Sequence, residues 1–146
     1  MSLILDGDGV ITGYVSGVTS DTISYTPAGT GAVATSVQTK LRESVSVKDF
    51  GAVGDGVTDD YTAFENAFAA AANSTLQIPA GDYRINFTGG TCFTPGANTV
   101  IEGNGVDNTT ITFVPSSTTQ RNLFLASNGG LTLRNVKIAV TEPAGG

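Results

Sequence analysis

Apolar and polar residues alternate in short runs over much of the chain, which is the pattern of half-buried β-strands. Residues 44–47 read Ser-Val-Ser-Val, and similar runs follow from Thr75 onward, separated by turns rich in Gly, Pro, Asn and Asp. Short strands of this kind bury their apolar faces by stacking on neighbouring strands. After Thr75 the alternation predicts eight strands, over 76–78, 83–86, 91–93, 99–102, 110–114, 122–125, 131–134 and 136–140.

Between these two strand regions, residues 60–72 have the apolar spacing of a helix. Phe64, Ala67, Phe68 and Ala71 fall on one helical face. We therefore expect this helix to cover an apolar surface, as a cap over the strands that follow.

A second helix is predicted earlier in the chain, where Val33, Val37 and Leu41 recur every four residues. It would have about ten residues, which is below the length at which an isolated helix is stable in water. Its apolar stripe must therefore pack against the first part of the chain, the later strands or copies of itself.

Residues 1–28 contain three short strand candidates, over 3–5, 10–15 and 22–25. Strands of this length bury little apolar area, so such a sheet is marginal alone and needs a partner surface. Residues 26–32 are rich in Gly, Thr and Ala and predict a linker or turn. The apolar candidates for contact with a partner are Leu3, Leu5, Val10, Ile11, Tyr14, Ile23 and Tyr25.

The segment between the strand at 44–47 and the helix at 60–72 is rich in Gly and Asp. Gly51, Gly54 and Gly56 allow the backbone to turn with positive φ, because no Cβ opposes that conformation. Carboxylates and hydroxyls just before the helix can accept hydrogen bonds from its first N–H groups. We predict a structural loop and helix cap formed by Asp49, Phe50, Gly51, Gly54, Asp55, Gly56, Thr58, Asp59 and Asp60.

Asp55, Asp59 and Asp60 form the densest group of carboxylates. Two carboxylates can act as acid and base in glycoside cleavage, and such a group could also bind a cation. The neighbouring glycines and the helix that follows instead explain them as turn and cap residues, with Thr58, Asp59 and Asp60 accepting from helical N–H groups. We therefore assign no catalytic residue here.

Asp82, Glu102 and Asp107 are further polar candidates, because carboxylates could contact a sugar beside Tyr83 or Phe93 as a stacking face. Acids at solvated turns are the more common case in proteins. We therefore favour the structural interpretation for these residues as well.

The composition argues against several kinds of partner and catalytic site. The chain has seven Lys and Arg against thirteen Asp and Glu, a net charge of −6, so we expect no binding to nucleic acid. It has no histidine, which removes Ser-His-Asp and Cys-His catalysis and the commonest zinc ligand. Cys92 is the only cysteine and is expected to be a small buried apolar residue. We predict no metal site and no cofactor.

No long apolar segment predicts a membrane span, and residues 1–6 lack the basic start and long apolar core of a signal peptide. We therefore expect synthesis in a cytoplasm, no membrane insertion, and arrival at the final location by a route other than secretion.

The order KDFGAVGDGVTDD over residues 48–60, a helix, and then IPAGDYRI over residues 78–85 closely resembles the opening of pectate-lyase-like right-handed parallel β-helix proteins. Residues 29–50 resemble the junction found in bacteriophage tailspike proteins. Together the resemblance covers roughly residues 29–140. It implies a mainly β fold, with a small N-terminal β module, a short neck helix and the helix-capped start of a right-handed parallel β-helix.

The resemblance also implies a different role for each part of the chain. Residues 1–28 would be a particle-binding module that docks on a phage tail or baseplate protein, and the spike would form part of the virion. Residues 29–45 would be a linker and a neck near a three-fold axis, so the protein would be a homotrimer. Residues 46–146 would be the cap and first rungs of a truncated β-helix, in which Val136, Ile138 and Val140 would form an open apolar edge.

The full-length protein would recognise and depolymerise host surface polysaccharide through C-terminal rungs that this chain lacks. In this fold, elimination chemistry uses a basic residue beside calcium-binding aspartates. Arg121 and Arg134 have no acidic cluster near them in sequence, so we expect this segment to be inactive by itself.

Two alternatives stay open. The chain could be the N-terminal piece of a pectate-lyase-like polysaccharide lyase or hydrolase with no virion role. It could also belong to a non-catalytic adhesin that binds a glycan without cutting it. Fold alone does not decide between these functions.

Overall fold

The computed structural model describes residues 17–88, 90–116, 122–126 and 129–141 of the 146-residue chain. The chain divides into two compact units, residues 1–42 and residues 43–146. The following predicted docking residues lie outside the described residues: Leu3, Leu5, Val10, Ile11 and Tyr14.

The described part of the first unit, residues 17–42, contains a two-stranded antiparallel pair and one short helix. Strand β1 (Ser24–Tyr25) pairs with β2 (Thr35–Ser36). Helix α1 (Val37–Leu41) follows directly, and the Ser36 hydroxyl caps it by accepting a hydrogen bond from the Thr39 amide at 3.0 Å. Serine is a favoured residue at this position because its side chain satisfies one of the free helical N–H groups.

The expectation of a ten-residue helix through Val33, Val37 and Leu41 is wrong. Ser36 has an extended backbone and belongs to β2, so the helix begins only at Val37 and has five residues. Val33 therefore precedes the helix. The pairing of β2 with β1 takes up residues that the four-residue spacing assigned to a helical face.

The second unit is a parallel β-helix, as expected. Its strands form a four-stranded sheet in the order β11-β8-β5-β3, another in the order β12-β9-β6-β4, and a pair β10-β7, all parallel. We call each turn of the coil a rung, and the four rungs begin at β3, β5, β8 and β11. The strands are β3 (Ser44–Ser46), β4 (Asp55–Asp59), β5 (Thr75–Ile78), β6 (Gly81–Phe87), β7 (Thr91–Phe93), β8 (Val100–Gly103), β9 (Thr109–Pro115), β10 (Asn122–Phe124), β11 (Thr132–Arg134) and β12 (Lys137–Val140).

All eight strands predicted after Thr75 have a counterpart, with ends that differ by no more than two residues. The core consists of apolar residues that recur at matching positions on successive rungs. Leu76 pairs in register with Ile101, and Tyr83 pairs with Ile111, and all four side chains are fully buried. Stacked parallel strands thus bury a continuous apolar interior, which a single rung could not do.

Helix α2 (Tyr61–Ala70) covers the first rungs, which confirms the predicted cap. Phe64 and Phe68 are buried, and the Phe64 ring lies 5.4 Å from that of Tyr83 and 6.0 Å from that of Phe93, measured between centroids. Each buried Phe contributes roughly 1.5–3 kcal/mol relative to an exposed one. This packing stabilises a helix that is too short to persist alone. Within the described residues, no helix combines the length and apolar character needed to cross a membrane.

Candidate functional site

The glycine-rich loop begins with a reciprocal cap. Ser46 ends β3 and starts a 3-10 helix (Val47–Phe50), in which the Ser46 hydroxyl accepts from the Lys48 amide at 3.2 Å. The Asp49 carboxylate in turn accepts from the Ser46 amide at 2.9 Å. This arrangement is a capping box, and it satisfies amides at the start of the turn that would otherwise have no partner. Gly51 ends the turn with a φ of 91°, which a Cβ would strain.

Asp60 closes the loop from inside the protein. Its side chain is 2% exposed, and its two oxygens accept hydrogen bonds from the amides of Val53 at 2.6 Å and Gly54 at 3.1 Å. The expectation that Asp60 caps α2 with its side chain is wrong, because both oxygens are engaged by the loop. Positive φ at Gly54 allows this close turn, in which a Cβ at that position would lie 2.8 Å from the Tyr83 ring.

Asp59 instead caps the helix. Its Oδ1 accepts from the amides of Tyr61, the first residue of α2, and Asn86, each at 3.1 Å. The Thr58 hydroxyl donates to Asp55 at 2.8 Å, and within the described residues no amide of α2 donates to it, so the expectation that it caps the helix is wrong. The local loop geometry thus separates three neighbouring polar residues into different roles.

The predicted loop ends sooner than expected, because residues 55–59 form β4, and Asp55 organises the register shift between β4 and β6. Its Oδ1 accepts from the amides of Thr58 at 2.7 Å and Val57 at 2.9 Å. These hydrogen bonds, with the Thr58 amide contributing most, lower the pKa of Asp55 below its ordinary value. Asp55 and Asp60 are therefore committed to backbone amides, which is the chemistry of a structural loop.

A polar cluster that the sequence did not reveal lies where the neighbouring strands β8 and β11 end. Glu102 pairs in register with Arg134, and the Arg134 guanidinium lies 2.7 Å from Glu102 Oε2. The Asn135 side-chain amide donates to the other Glu102 oxygen at 2.6 Å. Both carboxylate oxygens thus have partners within the protein. Glu102 and Arg134 are 32 positions apart in the chain, so inspection of sequence neighbours did not reveal this contact.

The two proposed sugar-stacking rings are not available at the surface. Tyr83 and Phe93 are both buried, so that expectation is wrong. The Tyr83 hydroxyl donates to the Pro79 carbonyl at 2.9 Å, and burial, aided by Asp60, raises its pKa to about 12. Asp82 lies on an exposed strand position, where it accepts from the Thr112 hydroxyl at 2.9 Å.

Cys92 is buried and not disulfide-bonded. Burial raises the pKa of its thiol to about 12, and the nearby charges of Asp59 and Glu65 act in the same direction. A thiol that stays protonated at neutral pH is a poor nucleophile. In the ranges that the structure describes, no three Cys, Asp or Glu residues are grouped so that they could hold a metal ion.

The first unit exposes several large apolar side chains. Ile23 and Tyr25, both predicted docking residues, are exposed, as is Val18, which lies in a turn region that carried no strand or helix pattern. Of the predicted neck residues, Val33 is 79% exposed and Leu41 is 67% exposed. Val37, the third neck residue, is half-buried. A group of exposed apolar side chains is typical of a surface that contacts a partner, so Val18, Ile23 and Tyr25 form the candidate docking surface, and Val33 and Leu41 form the candidate neck contact.

Residues 44–140, which span most of the second unit, match the family described as rhamnogalacturonase A/epimerase, pectate lyase-like. The chain belongs to this family. The match covers all four rungs and the capping helix of this pectate-lyase-like chain.

Curated relatives of the pectate-lyase-like chain come from phages and from a bacterium. It is 44% identical over 72 residues to a pre-neck appendage protein of Bacillus phage B103, covering 49% of this chain and 8% of the relative. It is 43% identical over 77 residues to mannuronan C5-epimerase AlgE5 of Azotobacter vinelandii, covering 47% and 8%. It is 40% identical over 62 residues to a tail spike protein of Shigella phage Sf6, covering 39% and 10%.

Among solved structures, tailspike protein 3 of bacteriophage CBA120 is similar, with a TM-score of 0.59 and 26% identity. The similarity covers 83% of this chain and 21% of that chain. The pectate-lyase-like chain spans only a small part of its curated relatives, between 8% and 10% of the length of the three named above.

Proposed function

We propose that this chain is the anchoring and assembly part of a phage tailspike, with residues 1–28 docking the spike on a tail or baseplate protein. The observation that carries the proposal is the exposure of the large apolar side chains of Ile23 and Tyr25, beside the two-residue strand β1. Similarity to a phage pre-neck appendage protein and to two phage tailspikes supports it. The protein would be made in the host cytoplasm and function in the virion.

Self-association is the second part of the proposal. Val33 and Leu41 are strongly exposed although both are large and apolar. Transferring such a side chain from water into an interface contributes roughly 1.5–3 kcal/mol, and a trimer would gain this three times at each position. The shortened helix α1 does not provide a long apolar stripe, so the proposed neck contact rests on these exposed side chains.

Contact with host polysaccharide is assigned to rungs beyond the four described here. Leu133 and Val140 occupy register positions whose counterparts on the preceding rung, Ile101 and Phe113, are fully buried. On the fourth rung Leu133 is 40% exposed and Val140 is 59% exposed. A further rung stacked on this face would bury them, in the same way that each rung buries the one before it.

The docking assignment is tested in the full-length spike by measuring its incorporation into virions. Replacing Ile23 and Tyr25 with Asp should reduce incorporation by about tenfold or more, because charges do not enter an apolar contact. The matched control places Asp at Thr26 and Thr30, which are exposed polar positions in the same unit. Normal incorporation of the Ile23 and Tyr25 variant, or of a spike lacking residues 1–28, would show that the docking assignment is wrong.

The neck assignment is tested by light scattering on the 146-residue chain, whose monomer mass is 14.8 kDa. We expect a mass three times this value, and we expect Val33→Glu with Leu41→Glu to return it to the monomer value. Ala34→Glu is the control, because Ala34 is an exposed neighbour with little apolar area to lose. A monomeric wild-type chain would contradict a trimer contact within these residues.

The alternative function is a polysaccharide-active enzyme without a virion role, and the similarity to a mannuronan C5-epimerase favours it. In this alternative too, the active groove would lie on rungs other than these, but the N-terminal region would be a dispensable appendage with no role in a virion. Release of reducing or unsaturated sugar ends by the 146-residue chain would support the enzyme and overturn the expectation that this segment is inactive.

A further inference from the structure

A pocket of about 500 Å³ lies at one corner of the second unit. It forms where β6 and β9 end, at Phe87 and Pro115, beside the start of β7 at Thr91 and the start of α2 at Tyr61. Its volume lies within the range of roughly 300–1,000 Å³ that is usual for small-ligand sites.

One wall of the pocket carries polar groups that have capacity to bind a ligand. Asp59 is held in place through Oδ1, which accepts from the amides of Tyr61 and Asn86. Among the residues that the structure describes, no partner engages Asp59 Oδ2 or the side-chain hydroxyls of the other polar lining residues. These are Thr88, Thr91 and Ser116. Asp59 and three hydroxyl-bearing residues thus line the same small volume.

The remaining wall is apolar. Phe87 and Pro115 are buried in the β-helix and contribute to the lining together with Val114. Tyr61 is supported by Phe93, against which its ring stacks at 5.3 Å between centroids and an angle of 21°. Burial raises the pKa of Tyr61, so the lining phenol is neutral. Ring and aliphatic surfaces fixed in this way offer a flat contact for the C–H face of a ligand.

The combination of groups selects a ligand class. Hydroxyl and carboxylate oxygens beside an aromatic and aliphatic wall complement a molecule with many hydroxyls and an apolar ring face. Asp59 is the only charged residue among the described residues that line the pocket, and it would repel an anion. We propose that this pocket binds a neutral sugar residue. The inference rests on the pocket alone and does not depend on the anchoring role.

The direct test is an amide chemical-shift titration of the full 146-residue chain. The probes are glucose, galactose, mannose, N-acetylglucosamine and N-acetylgalactosamine, each against glucuronate and galacturonate as charged counterparts. We expect at least one neutral sugar to shift the amides of Asn86, Thr88, Thr91 and Ser116, and the uronates to bind about tenfold more weakly, a difference of about 1.4 kcal/mol. If none of the five neutral sugars shifts these amides, or if the uronates bind as well, the proposal is wrong.

Matched variants locate the site. Thr88→Trp should fill the pocket and lower the affinity for the neutral sugar by about tenfold or more, whereas Thr62→Trp, on the exposed side of α2, should leave it unchanged. Thr91→Val is the second variant, because it removes one hydroxyl with almost no change in volume and should weaken binding several-fold. If Thr88→Trp and Thr91→Val both bind the neutral sugar as tightly as the wild-type chain does, the assignment is wrong.

The outcome is separable from that of the anchoring proposal. If no sugar shifts the pocket amides but the spike is incorporated normally into virions, only the pocket proposal is contradicted. If the Ile23 and Tyr25 variant is poorly incorporated but still binds the sugar, the result supports the docking surface and leaves the pocket proposal unchanged.

Discussion

The carboxylate of Asp60 accepts a hydrogen bond from the amide of Val53 at 2.6 Å, and thereby ties the start of α2 to the glycine-rich loop seven residues earlier. The second carboxylate oxygen accepts from Gly54, so one buried side chain satisfies two loop amides. A hydrogen bond to a charged group contributes about 1.5–3 kcal/mol to stability. The loop conformation therefore depends on a residue that local sequence would assign to the helix.

We expect Asp60→Ala to lower the free energy of unfolding by about 3 kcal/mol, because both loop amides would lose their acceptor inside the protein. Urea unfolding followed by circular dichroism measures the change. Glu65→Ala is the control, since Glu65 is exposed on the same helix. Equal stability of the two variants would mean that water replaces the Asp60 carboxylate without cost.

Gly103 tests how closely successive rungs approach each other. A Cβ at this position would overlap the carbonyl oxygen of Asn135 and the side chain of Val136 on the next rung. Gly103→Ala should therefore cost about 1–3 kcal/mol or more. Gly130→Ala should be close to neutral, because a Cβ there meets nothing within 4 Å and the backbone has no positive φ. Thermal unfolding of both variants makes the comparison, and a tolerated Gly103→Ala would contradict the described packing of the third and fourth rungs.

Phe64 tests whether α2 is an essential cap. Its side chain is fully buried and lies beside the rings of Tyr83, Phe93 and Phe68. Phe64→Ala should cost about 3–5 kcal/mol in the free energy of unfolding, because it leaves a cavity in the aromatic cluster. Thr62→Ala on the exposed side of the helix should change stability by less than about 0.5 kcal/mol. A small effect of Phe64→Ala would show that the helix can leave the β-helix without loss of the core.

The ion pair between Glu102 and Arg134 should contribute little by itself. Arg134 is 58% exposed, so solvent screens most of the attraction. A double-mutant cycle with Glu102→Gln and Arg134→Gln should give a coupling energy below about 1 kcal/mol. A coupling of several kcal/mol would indicate that the pair is shielded from water in solution.

Alkaline pH should destabilise the fold. Burial raises the pKa of both Cys92 and Tyr83 to about 12, from ordinary values of 9.0 and 10.0. Between the ordinary and the raised pKa values the unfolded chain releases protons that the folded chain retains, so the free energy of unfolding falls as pH rises. Urea unfolding across this pH window measures the slope, and Cys92→Ala should make it shallower between pH 9.0 and 10.0, below the ordinary pKa of tyrosine. A flat profile in wild type would contradict the burial of these groups.

The sequence alone was sufficient for features that depend on local chemistry. The alternation of residue types located the eight described strands from β5 to β12, because a period of two places alternate side chains on opposite faces. The spacing of Phe64 and Phe68 located the capping helix and its buried face in the same way. The positive φ at Gly51 and Gly54 followed from the absence of a Cβ.

Only the tertiary structure decided what depends on partners distant along the chain. Pairing of β1 with β2 shortened the neck helix and left Val33 outside it. The stacking of rungs of unequal length placed Arg134 on Glu102 and buried Tyr83, which no local pattern specifies. The same stacking brought Asp59 and Ser116 to one pocket. Local sequence determines backbone preference and side-chain alternation, whereas the identity of each neighbour is set by strand register, which is a property of the whole coil.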